Sequence, residues 1–273
     1  MPKNIDSWIL SGLSLGLIVG IGYFAYQQFD RTSLNNSFSY PAKSFVLKGK
    51  AIKGALLKAK DDRGQNITLK IQDVELDPQD TEKDIYLYTV LYQITTTSQW
   101  QNLCQSDRSG VAKAIPLSGK WDNRGNYIDD ETITWACTNG ALAKCVRWGY
   151  KPWKTIDRQS LRNFHQACTR MVRADYCGDG VSHTKNGTPI DVYDRLKIQQ
   201  QVENTGMSFE AAWNGNGAVA INTTRFPESM VEIKRKCPER LKLLPDKESQ
   251  LSQLEKYAPD ALLFNDSFPN SQF

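Results

Sequence analysis

The fold class this sequence predicts is one N-terminal transmembrane helix followed by a mainly β, α+β globular domain that contains disulfides and one central helix. Three observations predict it. An uncharged apolar stretch runs from Trp8 to Tyr26, short segments of alternating character are punctuated by Gly, Asn and Asp, and six cysteines all fall beyond the apolar stretch.

The apolar stretch comes first. No charged side chain lies between Asp6 and Asp30. A helix of that length, rising about 1.5 Å per residue, covers roughly the 30 Å of a bilayer's hydrocarbon while satisfying its own backbone groups. Trp8 stands at one end and Tyr23 with Tyr26 at the other, where amphipathic rings suit the headgroup level. Residues 1–30 are therefore read as a membrane anchor that meets the lipid bilayer through residues 8–26. Gly12, Gly16 and Gly20 line one face, which suits helix association. A cleaved signal peptide fits less well: Lys3 is partly offset by Asp6, and no small-x-small site precedes the bulky YFAYQQF run.

Two signals disagree about orientation. Lys3 is the one basic side chain before the helix, whereas Arg31, Lys43 and Lys48 follow it, which by the positive-inside rule opposes export of the C-terminal region. An even set of cysteines, Cys104, Cys137, Cys145, Cys168, Cys177 and Cys237, persists as disulfides only in an oxidising compartment. The cysteines decide the expectation: a single-pass membrane protein whose globular domain lies on the periplasmic or extracellular side.

Residues 31–43 are polar and turn-prone and suit a tether. Residues 44–98 read as a β-rich part. Phe45 and Leu47 alternate with polar positions, as do Leu57 and Ala59, then Ile67, Leu69 and Ile71, with Asp61 to Gly64 as a hairpin connection. The run Ile85 to Thr95 places Tyr86, Tyr88, Val90 and Tyr92 on one side and Ile85, Leu87 and Leu91 on the other, so that strand is expected to be covered on both faces. Asp122 to Gly125 forms a second turn between Trp121 and Tyr127. A helix begins near Asp157 or Ser160, with Leu161, Phe164, Cys168, Met171 and Val172 on one face, and stops before Gly178-Asp179-Gly180. Two strands are expected around Asn214 to Gly217, although MSFEAAW also fits a short helix. A late helix starts from Pro238 or Ser249, and the tail after Pro259 reads as loosely packed.

Composition narrows the function. Hydrophobic content of 40% excludes a disordered chain, and a net charge of +4 from 34 basic and 30 acidic residues gives no long basic stripe, so no nucleic-acid partner is expected. The densest basic run, Lys234 to Lys242, is broken by Cys237, Pro238 and Glu239 and reads as a solvated face. Candidate chemistry gathers around the central helix: His165 and Cys168 share a face, Cys177 and His183 follow, and Asp175, Asp179 and Asp191 are close by. Zinc needs four such ligands in a tetrahedron, and the sequence has no CxxC or HxxxH pair, so neither a metal nor a cofactor is expected. A cysteine nucleophile needs a free thiol beside an imidazole, which the even cysteine total opposes. Disulfide connectivity stays open; Cys137 with Cys145 and Cys168 with Cys177 are the shortest closures. The run Asp122 to Asp130 carries oxygen ligands but lacks calcium-loop spacing, so it reads as a solvated turn. Asn66, Asn186 and Asn222 begin N-x-Thr triplets, and Trp148, Tyr150 and Trp153 form an aromatic turn that caps a core or meets a partner.

Three long segments are distinctive: ITWACTNGALAKCVRWGYKPW at 133–153, HQACTRMVRADYCGDGVSHTKNGTPIDVYD at 165–194 and AAWNGNGAVAINTTR at 211–225. Together with AIPLSGKWD at 114–122, they resemble the bacterial ADYC domain family, whose name corresponds here to Ala174, Asp175, Tyr176 and Cys177. The resemblance covers roughly residues 80 to 225. It implies a cysteine-rich domain often found behind export or membrane-targeting segments, and it implies no reaction. It marks Asp175, Tyr176, Cys177, Gly178, Asp179, Gly180 and His183 as positions to test. Residues 99–230 are accordingly read as the ADYC-like domain and 231–273 as a C-terminal helical segment and tail. The expected function is structural or binding, toward an envelope protein or glycan. The alternative is an envelope hydrolase or thiol enzyme using His183, Asp175, Asp179, His165 or Cys177.

Overall fold

The computed structural model describes residues 37–38, 49–61, 65–94, 99–242 and 251–268. The anchor expected at residues 1–30 and the strand expected around Phe45 and Leu47 lie outside them. Among the described residues no helix is long and apolar enough to cross a membrane. Two residues of the expected tether, Ser37–Phe38, form strand β1.

Two antiparallel sheets make up the domain. The larger contains β1, β2 (Leu56–Lys60), β3 (Asn66–Leu76), β4 (Tyr86–Ile94), β5 (Gln101–Asn102), β6 (Ala114–Trp121) and β7 (Tyr127–Cys137). Its order is β1-β7-β6-β4-β3-β2, with β5 added on β4. Alternation built it: Ile67, Leu69 and Ile71 are buried on one face of β3, and a bulge between Ile71 and Asp73 restores Val74 to that face despite the odd spacing. Tyr88 and Val90 pack into this cluster with Trp135, while Ile85 and Leu87 enter another with Ile115, Leu117 and Trp121. The two-sided pattern around β4 thus covers both sheet faces, the second beneath helix α1 (Ala141–Arg147) through Leu142, Ala143 and Val146. In β6, Gly119 at φ +86° sits where a Cβ would meet the Tyr127 ring at 2.4 Å, so the bulge there requires glycine.

After the small hairpin β8 (Thr155–Ile156) and β9 (Gln159–Ser160) comes the central helix α2 (Leu161–Arg173). Ser160 caps it by accepting the Arg162 N–H at 3.3 Å, as the expected start implied. Leu161, Phe164, Cys168 and Met171 bury its apolar face. Ala174, in the left-handed conformation, ends it.

The smaller sheet has the order β10 (Ile190–Asp194), β13 (Leu263–Ser267), β11 (Ser208–Asn214) and β12 (Gly217–Ile221). The segment MSFEAAW resolves to strand, and the expected hairpin turns at Gly215 and Asn216. Helix α2 covers one face, with Trp213, Ile221 and Leu263; helix α4 (Leu251–Tyr257) covers the other through Leu254 against Phe209 and Phe264. Each fully buried large apolar side chain contributes about 1.5–3 kcal/mol.

Several expectations are corrected here. The segment read as a loose tail supplies β13, buried throughout between β10 and β11. Its polar residues disguise it, but two of them are satisfied inside: Asn265 accepts from the Trp213 indole at 2.7 Å, and Asp266 accepts from the Tyr193 hydroxyl at 2.7 Å. Pro238–Arg240 is a 3-10 turn, and helices α1 and α3 (Ser229–Lys236) add to the expected central and late helices. The boundary drawn at residue 98 falls inside one sheet, because β4 pairs with β5 and β6. The boundary at 230 falls inside α3.

All six cysteines pair, as Cys104–Cys137, Cys145–Cys168 and Cys177–Cys237, and none is free. Neither short closure forms. Cys137 ends a strand of the larger sheet and turns to the loop after β5, whereas Cys145 faces α2 across the helix pair.

Candidate functional site

Of the sequence candidates, Asp175, Cys177, Asp179 and His183 lie along the turn that follows α2, and the side chains there are held mainly by structural contacts. Asp175 is buried and pairs with the Arg170 guanidinium. It also accepts the Gly180 N–H at 3.1 Å. Burial pushes its carboxyl above the ordinary value, against the pull of Arg170. Arg170 in turn donates to the Gly215 carbonyl at 3.1 Å and to Asn126 Oδ1 at 2.6 Å, tying α2 to a hairpin of each sheet. Tyr176 stacks on Trp213 with ring centres 5.3 Å apart, and its hydroxyl donates to Glu210 at 3.0 Å. Arg225 grips Glu210 at 2.8 Å and donates to the Met171 carbonyl at 2.6 Å, so this buried cation satisfies the last turn of α2.

The glycines of the motif are close-approach positions. A Cβ on Gly178, at φ +71°, would stand 1.9 Å from the Asn216 carbonyl oxygen, and Arg240 clamps the same junction by donating to the carbonyls of Tyr176 and Ala218 at 2.9 Å. Part of the basic run read as a solvated face is therefore a structural clamp. Lys236 of that run pairs with Asp179 and Glu232, each at 2.8 Å.

The two histidines do not converge. His165 is wholly buried, in contact with the Leu142 carbonyl at 3.0 Å and edge-on to Trp121, and burial lowers its pKa to about 4. His183 is half-buried, tilted against the Tyr176 ring at 5.8 Å, and burial draws its pKa below the ordinary value while Glu232, Asp179 and Asp175 pull it up. Among the described residues no side-chain hydrogen bond joins His183 to Asp175 or Asp179. Cys177 is oxidised with Cys237, so it offers no thiolate. Asp191 accepts the Val202 N–H at 2.8 Å and lies opposite Asp266 across the β10–β13 ladder, where burial raises both carboxyls.

One carboxylate cluster has metal-ligand geometry: oxygens of Asp80, Glu82 and Asp84 lie within 4.8 Å of one another. A cation already occupies it. The Lys151 ammonium donates to Asp80 at 2.7 Å, to Glu82 at 2.5 Å and to Asp84. Burial works against ionisation of Asp80, but hydrogen bonds from Lys151 and from the Ile85 and Asp84 N–H groups outweigh it and hold the carboxyl far below the ordinary range. Asp122 likewise spends its oxygens on its own turn, accepting from the Arg124 and Asn126 N–H groups at 2.9 and 2.8 Å.

The concave feature that sequence reading missed is a cleft of about 420 Å³ between the start of α1, the end of α2 and the loop 182–190. Arg108, Lys144, Arg173, Lys185 and Arg225 line it, with no acidic residue among the described lining side chains. Trp148 and Val172 give it an apolar wall. Lys185 is placed with its ammonium 4.4 Å from the centre of the Phe226 ring, and Arg173 is held by its bond to the Gly180 carbonyl at 2.8 Å. These cations are scattered from residue 108 to residue 225, so no local basic run announces them. The aromatic turn is divided. Tyr150 is buried with its hydroxyl on Asp194 at 3.0 Å, Trp148 faces the cleft, and Trp153 is exposed.

The family model described as ADYC domain matches residues 49–227, starting well before the stretch that carries the sequence resemblance and taking in β2, β3 and β4. No curated protein and no solved structure matches the chain.

Proposed function

The chain belongs to the ADYC domain family, and from that premise we propose that it is an extracytoplasmic binding module. In this reading the apolar stretch 8–26 holds it to the membrane, and its ligand, an envelope protein or glycan, lodges in the cleft between α1 and the loop 182–190. The observation that carries the reading is the cleft's make-up: directed cations, amides and hydroxyls beside an aromatic wall, a recognition surface rather than a nucleophile with its base. Three disulfides support the extracytoplasmic placement, because such bonds persist in oxidising compartments. The motif residues then serve as scaffold, fixing the end of α2 that forms one wall of the cleft.

Hydrogen exchange of the purified full-length protein, with and without solubilised envelope fragments, tests this. Protection concentrated in residues 139–148 and 182–190 is the expected result. Turnover of those fragments by the protein, abolished in His183→Ala, would replace the binding reading with the hydrolase alternative.

A further inference from the structure

Resting on the reading that residues 8–26 hold the chain in a bilayer, we infer that the face of the larger sheet over β2 and β3 docks on the anionic lipid surface of that bilayer. Strand alternation decides which residues this face presents. Helix α1 covers the same side of the sheet where Ile85, Leu87, Ile115 and Leu117 meet it. Toward the β2 edge, Leu56, Lys58 and Lys60 point outward and are exposed, Leu56 by 63%. Their cross-strand partners are Lys70, Thr68 and Asn66, so Lys70 joins the row. Its ammonium lies 6.0 Å from the centre of the exposed Trp100 ring. The acids further along β3, Asp73 and Glu75, are matched by Lys53 at 2.8 Å and Lys113 at 2.6 Å. Asp61, which follows β2, accepts the Gln65 N–H at 2.7 Å. Lys58 reaches the Thr68 hydroxyl at 3.4 Å, and among the described residues no acid pairs with Lys58, Lys60 or Lys70.

Chemistry and distance select the occupant. Lysine lays its apolar stem along a hydrophobic surface and carries its ammonium to a phosphate, while an indole suits the headgroup level and an exposed leucine the layer beneath it. Each lysine near an anionic leaflet adds attraction that decays within a Debye length, so the domain must be held close. From Tyr26, where the apolar stretch ends, to Ser37 in β1, the backbone reaches no more than about 40 Å even fully extended. Strand β1 pairs with β7 and approaches β2, so the chain arriving from the membrane enters beside the β2 edge. A contact too weak to recruit a free protein is effective on so short a lead, because it is intramolecular.

Hydrogen exchange of the full-length protein in nanodiscs tests the inference, comparing phosphatidylcholine alone with phosphatidylcholine containing about 30% phosphatidylglycerol. Strand β2 and residues 66–72 are expected to exchange at least about threefold more slowly in the anionic discs, with the difference lost in about 1 M salt. The Lys58→Gln, Lys60→Gln, Lys70→Gln triple variant is expected to abolish the difference. Lys234→Gln with Arg235→Gln, which removes two cations from α3, is expected to preserve it. Equal exchange in the two lipids, or a difference that the triple variant keeps, overturns the inference. Slowing by solubilised envelope fragments in neutral discs, with none by anionic lipid, assigns the face to a soluble partner and also overturns it. Flotation separates this result from the anchor reading. Protein that floats with neutral phosphatidylcholine vesicles yet shows no lipid-dependent exchange keeps the anchor and loses the docking face. Failure to float with neutral vesicles removes the anchor; flotation with anionic vesicles, lost in the triple variant, then still supports the lipid-binding face, and its absence overturns it.

Discussion

The neutral, buried His165 and the caged ammonium of Lys151 are single residues whose surroundings set measurable consequences. His165 has its pKa lowered from 6.5 to about 4, so between those values the unfolded chain binds a proton that the folded one refuses. The stability it contributes is complete above pH 6.5 and is lost as pH falls toward 4, with a full effect of about 3 kcal/mol. Urea midpoints measured from pH 7.5 to about pH 4 are expected to fall more steeply for the wild type than for His165→Leu. Lys151 shows the reverse assignment, a charge kept by its partners. Replacing it in Lys151→Ala strands three carboxylates, of which Glu82 and Asp84 are partly exposed, and is expected to cost about 2 kcal/mol at pH 7. Because Lys151 lowers Asp80 from 3.8 and Glu82 from 4.5, the difference between wild type and variant is complete above about pH 4.5 and shrinks as pH falls below it. Added calcium is expected to raise the melting temperature of Lys151→Ala and not that of the wild type, since the variant leaves oxygens within 4.8 Å of one another with no ammonium between them.

At the scale of elements, the motif after α2 is a junction, and its parts fail in distinguishable ways. Gly178→Ala forces a Cβ onto the Asn216 carbonyl at positive φ and is expected to lose at least about 2 kcal/mol. The Cys177→Ser, Cys237→Ser double variant releases a closure of 60 residues and is expected to lose about 4 kcal/mol on the chain-entropy account. Both are read from denaturation curves. Which elements sequence showed, and which it hid, follows from the range of the forces involved. Helix α2 was legible because its cap at Ser160 and its stripe of Leu161, Phe164, Cys168 and Met171 are local. The pairs β2–β3, β6–β7 and β11–β12 were legible because their turns are local too. Strand β13 was not: Asn265 and Asp266 look solvated until Trp213, Tyr193 and Gln201 arrive from distant stretches to meet them. Helix α1 was hidden by its length of seven residues, too short to show a period.

Across the whole molecule the same distinction separates scaffold from site. The motif residues are contiguous, so sequence could point to them, and the structure places them in the joint between the sheets. The cleft residues come together only through the fold, and no window of sequence contains more than a fraction of their charge. The sheets run across the boundaries drawn in the sequence for the same reason, since β4 with β6 and β10 with β13 are partners across long separations. Three disulfides fasten these distant stretches, and because such bonds persist in oxidising compartments they support the extracytoplasmic placement proposed for the domain. The most direct test is peptide mapping without reduction, on protein whose thiols are blocked at the moment its own cells are lysed. The account predicts the three linked pairs Cys104–Cys137, Cys145–Cys168 and Cys177–Cys237 with no blocked cysteine; recovery of all six cysteines carrying the blocking reagent would contradict it.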